Sequence, residues 1–433
     1  MDKDTIKLLC KQFNVDEHVI NFVNSREFFI KDKFEEIDKI KEYNQYKILN
    51  SMQKTRLSAT DFNWTTGYGY GDIGRDKVEE IYSLIFNGEE ALVRPTIVSG
   101  THAITLCLSG LLRPGDEFIS ITDSPYDTLQ KVIGSKGNEE GTLLEYGIKY
   151  KEISLDNGKI NIKKVINNIS KETKLLLIQR STGYSNRKAI TIKEMEAAIS
   201  EIRKINMDII IMVDNCYGEF VEKKEPLDIG ADIIAGSLIK NPGGGLALSG
   251  GYIVGKKELV NKVANRSTAP GLGKDCGLTF GTTRTTLQGL FLAPHIVSEA
   301  MKGGMLIGSV YKELGFEIVP DIDENRSDII QAIKFNSPER VVAFCKGIQR
   351  ASAVDSHVVP IPWDMPGYED EVIMASGSFI DGSSIELSAD GPMREPYFAY
   401  YQGGLTYEHC KLGAMISLDN LIKEGLINLD KLI

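Results

Sequence analysis

The chain has 433 residues, of which 42% are hydrophobic and 25% charged, and a formal net charge of −10. That length exceeds one ordinary core, so a large and a small domain are expected in a globular chain. The negative charge argues against nucleic acid or an anionic membrane as the main partner, so a site for an anionic cofactor must be made locally by helix N-termini and a few arginines.

The start, Met1 to Lys7, has no apolar core of signal-peptide length, and no apolar run nears the length of a membrane span. Cys10, Cys107, Cys216, Cys276, Cys345 and Cys410 are scattered with no C-x-x-C spacing. They read as free thiols in a reducing cytoplasm, not as zinc ligands or a disulfide frame. Residues 1 to about 55 read as a helical arm, with Phe28-Phe29-Ile30 and Phe34 set among Lys and Glu. Residues 60–75 are rich in Gly and Tyr and read as an extended loop ahead of a helix at 76–86.

Strands and helices then alternate. Strands are expected at 92–98, 117–122, 175–178, 209–213 and 250–254, and an apolar run at 231–235 leads to Lys240. Helices are expected at 101–112, from about 128, and at 192–205. This interleaving implies an α/β architecture with a mostly parallel sheet covered on both faces. After about residue 290 the pattern changes to helices at 295–314 and 337–350 with strands at 316–320, 372–375 and 384–387, a smaller α+β domain. The division expected is a helical arm at 1–58, a large domain at 59–290 and a small domain at 291–433.

Asp214 closes one apolar strand, and Lys240 stands just past the next, twenty-six positions later (240 − 214). A carboxylate and an amine so placed suit pyridoxal phosphate. The lysine forms the Schiff base, and the carboxylate keeps the ring nitrogen protonated so that the ring can accept electrons. Ser99-Gly100-Thr101 lies at a strand-to-helix junction, where unpaired N–H groups and the positive dipole end favour a phosphate. Alone it reads equally well as an ordinary capped helix. Tyr126 falls at a strand's C-terminal edge, where an aromatic can stack on a flat ring, although a half-buried packing tyrosine would look the same. Ser237, three residues before Lys240, can share the phosphate. Gly243-Gly244-Gly245 lacks the Lys-Ser/Thr of a nucleotide loop and reads as a tight turn freeing space around the lysine. No histidine sits in metal-ligand spacing, so no metal is expected.

Taken in order, Tyr70…Arg75, Ser99-Gly100-Thr101, Arg113-Pro114-Gly115-Asp116, Tyr126, Asp214 and Ser237…Lys240 resemble the cystathionine lyase and methionine γ-lyase superfamily of fold-type-I pyridoxal-phosphate enzymes. More narrowly, residues 236–245 and 386–397, with Gln402-Gly403-Gly404-Leu405-Thr406-Tyr407-Glu408-His409, resemble its aluminium resistance protein branch. The resemblance implies an aspartate-aminotransferase-like large domain with a seven-stranded-type sheet. It implies a homo-oligomer whose dimers share active sites and assemble into a tetramer. It places Tyr70 and Arg75 on the cofactor phosphate of a neighbouring subunit, although Asp72 stands where the superfamily's tyrosine-x-arginine pattern has the arginine. Arg394 would pair with the substrate carboxylate; in isolation it reads as a surface ion pair. In the loop 179–186 the usual lyase contacts are replaced, leaving Arg180, Ser181 and Tyr184 as candidates. The activity implied is carbon–sulfur cleavage of a sulfur-containing amino acid by β- or γ-elimination, with Lys240, its pKa lowered by the site, as general base and Tyr126 assisting. An aminotransferase, or a pyridoxal-phosphate-binding protein without turnover, stays open.

Overall fold

The structure, a computed structural model, describes residues 1–432. The chain packs as two compact units: Tyr43–Pro294, and Met1–Glu42 together with the residues from His295 onward. Among the described residues no helix is long and apolar enough to cross a membrane, and all six cysteines are free thiols.

The helical arm forms as α1 (Lys3–Gln12), α2 (Glu17–Ile30) and α3 (Phe34–Lys54). Asp2 and Asp16 cap the first two, accepting from the amides of Thr5 and His18. Next comes α4 (Ile73–Ile85), which begins ahead of the expected residue 76 because Asp72 caps it. Asp72 Oδ1 accepts from Arg75 N at 2.9 Å, while Oδ2 takes the Thr65 hydroxyl at 2.9 Å.

Seven strands build the large sheet: β1 (Glu90–Arg94), β2 (Glu117–Ser120), β3 (Lys149–Glu152), β4 (Thr173–Gln179), β5 (Ile210–Asp214), β6 (Ile233–Ser237) and β7 (Gly251–Gly255). Their order is β1-β7-β6-β5-β4-β2-β3. Only β7 runs antiparallel to its neighbours, so the sheet is mostly parallel as expected. The sequence hid β3 because Lys149-Tyr150-Lys151-Glu152 carries no apolar face; it is an edge strand, and charge on an edge blocks further pairing. The first strand stops at Arg94, four residues before the expected end, where Pro95 cannot donate to the ladder. Helices α5 (Gly100–Leu111), α6 (Asp127–Ile133), α7 (Ile162–Asn168) and α8 (Ile192–Ile205) provide the crossovers, and α9 (Lys257–Ser267) follows β7. One core lies where Ala103, Cys107 and Leu108 of α5 and Val260 and Val263 of α9 meet Leu175, Leu177, Met212 and Ile253 of the sheet.

The C-terminal part contains α10 (Thr283–Glu313), β8 (Glu317–Val319), β9 (Gln331–Lys334), α11 (Pro338–Ala351), β10 (Val372–Ser376), β11 (Ser388–Pro392), β12 (Phe398–Gln402) and α12 (Tyr407–Lys423). Its sheet is antiparallel throughout, in the order β10-β11-β12-β9-β8. Tyr311 is wedged edge-on between Phe335 and Phe344, with both centroids at 5.4 Å. Two expectations need correcting. The helix expected from residue 295 starts at Thr283 and runs through Pro294. The strand expected at 384–387 is a turn, and the true strand follows at Ser388. Ile385 and Leu387 are apolar because they are buried, but the Glu386 carboxylate folds back to accept from Phe379 N at 2.8 Å and Ile380 N at 2.9 Å, so the segment cannot extend.

Candidate active site

Parallel strands carry their carboxyl ends to one edge, where open α/β sheets bind ligands. Tyr126 follows β2, Gln179 ends β4, Asp214 ends β5, and Lys240 stands three residues beyond Ser237, the last residue of β6. Ser99-Gly100-Thr101 opens α5 at the same edge, and Ser99 caps the helix by accepting from His102 N at 3.0 Å. An added Cβ at Gly100 would meet Cys216 Sγ at 3.0 Å and Ser237 Cβ at 3.4 Å, which places the helix start against the ends of β5 and β6. The Tyr126 hydroxyl donates to Thr101 Oγ1 at 2.9 Å, and Tyr126 N donates to Gln179 Oε1 at 2.9 Å. These placements bring together seven of the residues singled out from the sequence: Ser99, Gly100, Thr101, Tyr126, Asp214, Ser237 and Lys240.

Lys240 is half-buried, and its Nζ stands 3.9 Å from the centre of the Tyr217 ring. Among the described residues the amine makes no hydrogen bond and no ion pair. Burial would lower its pKa, yet Cys216, Tyr217, Asp214 and Tyr126 together hold it above the ordinary lysine range. The expectation of a lowered lysine pKa is therefore corrected for the chain by itself. Burial pushes the Asp214 carboxyl up, against Lys240, the Cys216 amide and Arg187, and its Oδ1 accepts from Cys216 N at 3.1 Å. Burial, with Asp214 second, raises Tyr126 well above the usual phenol range, so it holds its proton at neutral pH.

These residues fit pyridoxal phosphate. The floor at Gly100 is a cradle that a methyl group would fill, at the amide-rich start of a helix. Beside it the Ser237 hydroxyl has no hydrogen-bond partner among the described residues, and the Lys240 amine is likewise free. Gly100→Ala is expected to weaken the affinity for pyridoxal phosphate by about tenfold or more, a loss of about 1.4 kcal/mol, with helix content unchanged. Spectral titration of the dialysed protein beside circular dichroism checks this; unchanged affinity would remove the phosphate from this turn.

Other residues read from the sequence lie elsewhere. Tyr70 is 57% exposed on its loop, facing outward. Arg75 turns inward: Nη1 donates to Gly69 O at 2.6 Å and Gly277 O at 3.3 Å, and Nε to Asp76 at 3.0 Å. Arg180 is fully buried and reaches Asn215 Oδ1 at 2.8 Å and Glu222 at 3.2 Å. Arg394, in the other unit, pairs with Asp370 at 3.1 Å and is partly exposed. Two of the three glycines after Lys240 do more than clear space. A Cβ at Gly243 would stand 1.9 Å from Leu238 O, and one at Gly244 (φ +50°) 2.3 Å from Gly289 O, so they let backbone pack on backbone.

Sequence reasoning missed three residues. Tyr217 sits beneath the lysine amine, Gln179 positions Tyr126, and Arg187 faces Asp214. Asn215-Cys216-Tyr217, directly after the strand-end carboxylate, was the available signal for the first.

The family model for methionine gamma-lyase matches residues 19–422. The uncharacterized protein YnbB of Bacillus subtilis is 49% identical over 394 residues, covering 90% of this chain and 94% of the relative. A solved structure from Clostridium novyi NT, named as a carbon-sulfur lyase involved in aluminum resistance, is 48% identical with a TM-score of 0.93. It covers 97% of this chain and 100% of its own. A second, from Clostridium acetobutylicum and also tied by name to aluminum resistance, is 49% identical with a TM-score of 0.95, covering 98% and 100%.

Proposed function

The chain belongs to the methionine gamma-lyase family, and from that premise we propose a pyridoxal-phosphate-dependent lyase that cleaves a carbon–sulfur bond of a sulfur-containing amino acid. The observation that carries the reading is the Lys240 amine, without hydrogen bond or ion pair among the described residues, three residues beyond the end of β6 and beside Asp214, Tyr126 and Gly100.

Pyridoxal phosphate supplies an aldehyde for amines and a ring that takes up electrons. The protein supplies the rest. The start of α5, with Ser99, Gly100, Thr101 and Ser237, would hold the phosphate, and Tyr126 would lie against the ring. Asp214, kept in place by the Cys216 amide, holds a proton at the ring nitrogen. Lys240 Nζ, once free, removes the proton from the substrate's α-carbon. Tyr126 keeps its phenol proton because burial holds its pKa high, and it can pass that proton to the departing sulfur. Arg394, whose guanidinium is paired with Asp370 in the chain, is the residue the family resemblance offers for the substrate carboxylate, a group a guanidinium fork suits. Tyr70 faces outward to reach a neighbouring subunit's phosphate in a homo-oligomer, dimer or tetramer, of a reducing cytoplasm. Arg75, turned into its own loop, is the weaker member of that pair.

Cysteine, cystathionine and methionine are offered in turn, with thiol or sulfide release and keto-acid formation as readouts, with and without 2-oxoglutarate. Sulfur release independent of 2-oxoglutarate is expected. Products that form only when 2-oxoglutarate is present would make the protein an aminotransferase.

A further inference from the structure

The chain after Asp214 turns through residues 215–221 in a strained path. Tyr217 (φ +69°) and Phe220 (φ +63°) both lie in the left-handed region that residues other than glycine avoid. Such strain persists where the surroundings over-determine it. Gly218 N donates to Asn215 O at 3.0 Å, Phe220 N donates to Glu225 Oε1 at 2.9 Å, and Asn44 Nδ2 donates to both Phe220 O and Glu222 O at 3.1 Å. The buried Arg180 braces the Asn215 side chain from below. One contact ties this turn to the reacting lysine. Asn241, the residue after Lys240, places its Nδ2 3.0 Å from Tyr217 O and 3.0 Å from Glu219 O. A single amide thereby locks both ends of the Tyr217–Glu219 segment to the backbone that carries the amine.

We infer that Asn241 is a positioning residue: it holds the face of the Tyr217 ring against the Lys240 amine, and that face, in place of an ion pair, shelters the ammonium. The ring centre is 3.9 Å from Nζ, well inside cation–π reach, and among the described residues the amine has no other contact of that kind. The titratable groups facing the amine are Asp214 at the end of β5, Cys216 and Tyr217 in the turn, Tyr126 at the start of α6 and Glu219 below the turn, with Arg187 acting on Asp214. Among the described residues none of them bonds to Nζ, which leaves the ring face as its direct support. Asn241 Oδ1 is buried without a partner, so the side chain is retained for its two donations alone. The inference rests on Lys240 being the reacting amine, but its test needs neither cofactor nor turnover.

The test is the pH profile of Lys240 acetylation by acetic anhydride, read by peptide mass spectrometry on the cofactor-free full-length chain. Tyr217→Leu is expected to raise the reaction rate near neutral pH by about two- to thirtyfold, the worth of a cation over an aromatic face. Tyr217→Phe keeps the face and should stay within about twofold of the parent. Asn241→Ala should shift the profile in the same direction as Tyr217→Leu, and the double variant should match Tyr217→Leu alone, because Asn241 acts through the ring. An unshifted Asn241→Ala profile, an additive double variant, or Tyr217→Phe behaving like Tyr217→Leu would each overturn the inference. If Asn241→Ala does not fold, Asn241→Ser, too short to reach both carbonyls, is read by the same outcomes. A parent protein that fails to bind pyridoxal phosphate sinks the lyase reading and leaves this profile standing.

Discussion

Lys240→Ala is expected to lower turnover by at least about 10³-fold and to abolish the visible absorbance that pyridoxal phosphate gives when joined to a lysine. The substitution is informative because so little structure hangs on the side chain. It is half-buried, makes no hydrogen bond or ion pair among the described residues, and touches the Tyr217 ring. Its removal should cost stability by no more than the roughly 0.5–2 kcal/mol of a cation–π contact, so a folded, inactive variant separates chemistry from folding. Lys240→Arg sharpens the point. Arginine retains the charge over the ring but stays protonated, and can neither join an aldehyde nor accept a proton at neutral pH. Both variants should bind the free cofactor without the absorbance shift of the parent. Either variant keeping more than about a tenth of parental turnover would place the reacting amine elsewhere.

Lys240 and Asp214 were legible because Asp214 ends one buried strand and Lys240 follows three residues after the end of the next, and a charged residue just past an apolar run is conspicuous. The large sheet was legible for the same reason, since Ile, Leu and Val runs alternate with amphipathic helices. What escaped was decided by partners far away in sequence. Lys149–Glu152 is a strand only because β2 offers it a ladder, and residues 384–387 fail as a strand because Glu386 finds the amides of Phe379 and Ile380. Tyr217 escaped because its one local mark, a place three residues after the strand-end Asp214, says nothing of where its ring points. Its position depends on Asn241 bonding to a carbonyl 24 residues earlier. The arginines show the converse: Arg75 and Arg180 have the right residue type near the right loops, yet backbone oxygens and buried carboxylates claim their guanidinium groups. Residue type proposes a ligand, and the hydrogen-bond partners decide whether it is free to act.

Glu219→Gln is expected to remove a pH dependence of stability that the parent shows between about pH 4.5 and 8. Glu219 is fully buried below the Tyr217 turn; its Oε1 accepts from the Tyr252 hydroxyl at 2.6 Å, and its Oε2 has no partner. Burial pushes this carboxyl up to about 8, against the pull of the Tyr252 hydrogen bond and Lys240. The sign follows from proton binding. In the folded chain Glu219 keeps its proton up to about pH 8, whereas unfolded it ionises near the ordinary 4.5, so across that window the folded state binds more protons. Its contribution is fully present below the unfolded pKa and is lost as pH rises through the folded one. A gap of about 3.5 pKa units corresponds to about 5 kcal/mol, large beside a typical total of about 5–15 kcal/mol. Glutamine mimics the neutral acid and carries no proton to lose. Urea denaturation midpoints of the cofactor-free protein should therefore fall for the parent between pH 5.5 and 8.5 and fall much less for Glu219→Gln, with the variant the more stable at the upper end. Parallel profiles would mean that Glu219 ionises in the folded chain as it does unfolded, despite its burial among Tyr82, Tyr252 and Phe220.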